Sequence, residues 1–98
     1  MPQRPRNAFT LEDAEIIGLR ALAFLADDET RIDRFLALTG LSTDELRTQA
    51  GEASTLHAVL EHLAGDESLL LVFAAAASIE PDRIGPALQM LAAEAAKR

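Results

Sequence analysis

The sequence contains no cysteine, tryptophan or tyrosine, and its whole aromatic content is four phenylalanines. Without cysteine there can be no disulfide, thiolate metal site, iron–sulfur cluster or cysteine nucleophile. That usage fits a reducing compartment. Val, Thr and Ile are few, whereas Ala and Leu dominate. Strands draw on β-branched and aromatic side chains and helices on Ala and Leu, so composition alone points to an all-α fold. Long apolar runs are missing as well. The longest, Leu69 to Ala77, has nine residues, against the roughly 20 needed to span a bilayer. The opening Met1-Pro2-Gln3-Arg4-Pro5-Arg6-Asn7 is basic, but no apolar stretch of signal-peptide type follows it. The expected location is therefore cytoplasmic.

Positive charge is scarce too. Arg4, Arg6, Lys97 and Arg98 lie at the chain ends, and residues 7–96 hold five arginines against all 16 acidic residues, a net of −11. Such a body repels phosphate backbones and anionic lipid, which attract proteins mainly through basic patches. Nucleic acid and membrane are accordingly not expected partners. A solubilising role explains the same charge equally well.

What is present suits one core: 98 residues, 49% of them hydrophobic. Residues 1–8, with two prolines and no periodicity, read as a flexible tail ahead of a single helical domain over 9–96. Thr10 with Asp13 three positions on forms a capping box for a first helix reaching Ala26. In it Ile16, Leu19 and Ala23, together with Ile17, Ala21 and Phe24, give one broad apolar face. An aspartate of Asp27-Asp28-Glu29 caps a second helix carrying Ile32, Phe35, Leu36 and Leu38, which stops at Gly40. Leu41-Ser42-Thr43-Asp44-Glu45-Leu46 combines a capping box with a hydrophobic staple, Leu41 against Leu46, and starts a short third helix. The fourth, about Ala53 to Ala64, turns Leu56, Val59, Leu60 and Leu63 inward. Asp66 caps the fifth, Glu67 to about Ser78, whose Leu69–Ala77 stretch is apolar all round. Burial on every side is expected of it, either at the centre of the bundle or in a dimer interface. Pro81 suits a first helical position, and Pro86 predicts a short turn over 81–84 with a new or kinked helix from 86. That last helix offers Leu88, Leu91 and Ala95 to the core, with Met90 beside them. Short loops predict that neighbouring helices pack together. The expected fold is a compact orthogonal bundle of five to six short helices.

Catalytic furniture is sparse. His57 and Glu61 share one helix face, and His62 and Asp66 another. The two histidines point roughly 140° apart and cannot clamp one ion, so solvent-exposed side chains with modest i,i+4 contacts are the plainer reading. Asp27-Asp28-Glu29 and Asp66-Glu67 offer oxygen ligands without the spacing or glycine of a calcium loop, and acids belong at helix N-termini anyway. Ser42 and Thr10 have capping roles, and no serine or threonine stands in a recognisable nucleophile–base arrangement. The second and third helices allow a helix-turn-helix, with Thr43–Gln49 as recognition helix. Asp44 and Glu45 would face DNA badly there, and an ordinary helical corner accounts for the segment.

The phrases Ala21–Ala26, Arg34–Leu41, Asp44–Arg47, Val59–Leu63 and Asp66–Phe73, in that order and spacing, resemble a family of short bacterial proteins classed as a domain of unknown function. The likeness runs from about Ala14 to Pro81. It implies a stand-alone helical domain with no established activity, and it transfers no site residue. The expectation is a non-enzymatic protein–protein interaction module that binds another protein or itself. No catalytic, metal or cofactor residue is assigned and no cofactor is expected. The alternatives are a small-ligand or metal-binding regulator and, after that, a nucleic-acid binder.

Overall fold

Helix starts are written into the chain by side chains that accept from backbone amides the helix cannot pair itself. In the computed structural model, which describes residues 9–97, Thr10 and Asp13 form a reciprocal capping box at the head of α1 (Leu11–Ala26). Asp28 accepts from the Arg31 amide at the head of α2 (Glu29–Thr39), which ends on Gly40 with φ 77°, a left-handed conformation glycine adopts without a Cβ penalty. Ser42 and Glu45 form a second capping box before α3 (Thr43–Gln49). α4 spans Ala53–Ala64. Asp66 caps α5 (Glu67–Ala77). A 3-10 turn at Pro81–Arg83 leads into α6 (Ile84–Ala95). The described residues contain six α-helices and no strand. The expected tail over residues 1–8 lies outside the described residues.

The core is a three-helix layer of α1, α4 and α6, each packed on the other two. Ala14, Ile17, Ala21 and Leu25 of α1 meet Leu56, Val59, Leu60 and Leu63 of α4 and Ile84, Ala87 and Leu91 of α6, all buried. α2 adds Phe35, α3 adds Leu46, and α5 adds Phe73 and Ala74. Packing between sequence neighbours is thus the lesser part of the core, contrary to the expectation from short loops. α3 and α5 sit at the edge, so the chain passes out to them and returns. At the centre of the layer Gly18 of α1 faces Leu56 of α4, and a Cβ built on the glycine lies 2.9 Å from Leu56 Cβ.

Pro86 does not kink α6. It occupies the third helical position, within the first turn, where amides have no intrahelical partner to lose. The helix therefore begins two residues earlier than expected, with Ile84 as a core residue. Pro86→Ala is expected to change stability by less than about 0.5 kcal/mol in a urea titration, where a mid-helix proline would cost about 3 kcal/mol.

The Ser42 box has a pH signature. Hydrogen bonds from Ser42, first its amide and then its hydroxyl, hold the Glu45 carboxyl below its ordinary 4.5. A depressed carboxylate contributes stability above its unfolded value and loses it as pH falls through the folded one. Ser42→Ala is expected to lower stability by about 1 kcal/mol at neutral pH. The gap from the parent chain should narrow below pH 4.5. Denaturation midpoints at neutral and acid pH would check both, and equal gaps would exclude the hydroxyl's part in holding the carboxylate.

Candidate interaction surface

α5 is apolar on every side, yet it is not enclosed. Its inner face puts Phe73 and Ala74 in the core and half-buries Leu69, Leu70 and Ala77. Phe73 anchors it, with its ring tilted against Phe24 of α1 at 5.4 Å between centroids. The outer face leaves Leu71 47% and Val72 49% exposed, followed one turn later by exposed Ala75 and Ala76. Of the two ways expected to bury this helix all round, a place at the centre of the bundle is corrected here. The three-helix layer is already filled by α1, α4 and α6, so α5 packs from outside and only one of its faces finds a partner. The C-terminal end is pinned. Ser78 adopts φ 56°, the Ile79 amide donates to the Ala74 carbonyl, and the Arg20 guanidinium reaches across from α1 to the Ala77 carbonyl at 3.3 Å.

The apolar surface extends onto α1. Ile17 and Ala21 are buried as expected, but the row Ile16, Leu19 and Ala23 is exposed. Only part of the broad face read from the sequence points inward. A shallow groove of about 390 Å³ runs between the two helices, floored by Phe24 and Phe73 with Ala23 and Ala76 on its walls. On the far side of Arg20 a smaller hollow of about 230 Å³ lies among Ile16, Ile17 and Ile79. Leu38, expected in the core, is 69% exposed on α2. Phe35 takes the inward position of that helix, and Leu38 lies at the margin of a separate cleft.

That cleft, about 760 Å³, opens between α2, α4 and the start of α5. Arg31 and Arg34 line one side, and Glu61, Asp66 and Glu67 line the other. Among the described residues neither arginine forms an ion pair with a carboxylate. The Arg31 guanidinium instead lies 4.3 Å over the Phe24 ring. His62 meets Phe35 edge-on at 5.4 Å.

Of the residues weighed in the sequence as chemical candidates, Glu61, His62, Asp66 and Glu67 line the cleft between α2, α4 and α5 together. His57 and His62 are both half-buried instead of solvent-exposed. Asp28 and Asp66 are caps, as are Thr10 and Ser42. Among the described residues no three His, Asp or Glu side chains group as a metal site, and no helix is long and apolar enough to cross a membrane. In α3, Asp44 and Arg47 face each other at 3.9 Å, both highly exposed, and Leu46 is its sole buried residue. Sequence reasoning missed the exposed row of α1 and the groove. The one signal was excess: α1 and α5 carry more apolar residues than a single inward stripe uses.

Comparison with known proteins gives one family match, to "Protein of unknown function (DUF3572)", over residues 11–94. No curated protein and no solved structure matches.

Proposed function

Because the chain belongs to the DUF3572 family, which carries no assigned activity, its role has to be read from its own surface, and we propose a protein–protein interaction module that works without catalysis. The observation that carries this reading is the outer face of α5: four successive apolar positions, Leu71, Val72, Ala75 and Ala76, exposed with no charged residue among them. Single exposed apolar side chains are ordinary, but a contiguous strip of them marks a contact site. A helix one turn of which presents Leu and Val and the next Ala and Ala suits the apolar face of another helix, seated as in helix-in-groove recognition. The acidic body keeps the free protein dispersed and disfavours phosphate-bearing partners. The absence of cysteine supports an encounter in the cytoplasm.

Leu71→Glu tests the reading. The side chain is half exposed, so folding should survive, with thermal midpoints within a few degrees. The variant should lose a stoichiometric partner that the parent chain retains. Retention of the same partner by both chains, or no partner and no self-association in either, would refute it.

A second reading is favoured by one feature, the pair Arg31 and Arg34 facing the α2–α4–α5 cleft without carboxylate partners among the described residues. The cleft has the volume of a small-molecule site. A ligand that raises the melting temperature of the parent chain but not of Arg34→Ala would support it.

A further inference from the structure

We infer that the cleft between α2, α4 and α5 binds a short peptide by both of its free ends, the carboxylate on the α2 side and the ammonium on the α4–α5 side. This rests on the second reading above, that the cleft takes a small molecule, and goes further by naming the class. The cleft carries opposite charges on facing sides: Arg31 and Arg34 on one, Glu61, Asp66 and Glu67 on the other. Among the described residues no ion pair crosses it. A simple anion would meet three carboxylates there and a simple cation two guanidinium groups, so each is opposed by one side. A molecule that carries both signs, one at each end, is opposed by neither.

Spacing selects the kind of zwitterion. Packed helices stand about 8–10 Å apart, too far for a free amino acid, whose two charged groups share one carbon. Three extended residues at about 3.3–3.6 Å each span that distance. The cleft, about 760 Å³, falls within the ~300–1,000 Å³ of small-molecule sites. Its donors suit a carboxylate. Arg31 is half-buried, with its guanidinium held 4.3 Å over the Phe24 ring. Arg34 stands one turn along the same helix face, so two planar forks line the same side. On the other side Asp66 already accepts from the Leu69 amide, whereas Glu61 and Glu67 are exposed carboxylates able to accept from an ammonium. Leu38 and Leu69 add apolar lining for a side chain, and salt should weaken the binding by screening both ends.

Amide chemical-shift titration of the full chain with the tripeptide alanyl-leucyl-alanine, up to about 10 mM, decides the matter. The amides of Arg34, Glu61 and His62 should shift saturably, and those of α6 should not. Acetylating the amino end of the peptide, or amidating its carboxyl end, should each weaken binding at least tenfold. Arg34→Ala should lose most of the preference for the free acid over the amide. Glu61→Gln combined with Glu67→Gln should lose most of the preference for the free amine over its acetyl form. All three side chains are exposed, so the fold should survive, and a disturbed fold would not erase one preference while keeping the other. No saturable shift, equal binding of free and capped peptides, or preferences that the variants leave unchanged overturns the inference. In that event, inorganic phosphate that moves the same amides in the parent chain but not in Arg34→Ala leaves the cleft a ligand site of another class, and silence from phosphate as well takes the second reading with it.

Discussion

Phe73→Ala is expected to lower the unfolding free energy by about 3–5 kcal/mol, the range for deleting a fully buried phenylalanine. Against a total of about 5–15 kcal/mol for a domain, that is a large fraction. The residue is completely buried, and it is the one large fully buried side chain by which α5 holds the three-helix layer. Removing it empties the space beside Phe24 and leaves α5 held by Ala74, the half-buried Leu69 and Leu70, and the tie from Arg20 to Ala77. Urea titration should show the loss. Amide exchange should show it concentrated in residues 67–77, with α1, α4 and α6 still protected. A loss below about 1 kcal/mol would mean that Phe73 does not anchor the helix.

Gly18→Val is expected to cost about 3 kcal/mol and Gly18→Ala about 1–2 kcal/mol. The sign is informative. On an open helix face, alanine in place of glycine stabilises by about 1 kcal/mol. Here the added Cβ lies 2.9 Å from Leu56 Cβ, at the root of a side chain that cannot swing away without moving its own backbone. α1 and α4 must separate, and Ile17, Ala21, Val59 and Leu60 lose contact together. Thermal denaturation of the two variants would check this. A rise in melting temperature for Gly18→Ala would show that the helices approach less closely than described.

Local features were legible in the sequence because they are set by residues within one turn of each other. The caps at Thr10, Ser42 and Asp66 and the stop at Gly40 stand where spacing placed them, and Asp28 is the capping one of the two aspartates that spacing left open. α4 was legible too, since Leu56, Val59, Leu60 and Leu63 form one narrow stripe with polar residues opposite. α5 was not, for a physical reason: a helix apolar all round has no preferred side, so periodicity carries no information about which side faces in. α1 is a milder case, with two adjacent apolar rows of which the layer uses one. Gly18 left no mark, because a glycine inside a helix reads as weakness until the neighbouring helix is seen. The candidate surface stayed hidden for the same reason as the orientation of α5. An exposed leucine and a buried one are the same letter, and only the filled layer of α1, α4 and α6 shows which is left over.

The central layer joins the first helix of the described residues to the last. α1 packs on α6 as well as on α4, and Ile84, Ala87 and Leu91 close the core from the C-terminal side. During synthesis, which delivers the N-terminal segments first, α1 and α4 would wait with one flank of their apolar stripe uncovered until α6 left the ribosome. The core would be complete only once α6 had joined α1 and α4. A chain truncated before Ile84 would lack a side of that core, however well its first five helices are capped.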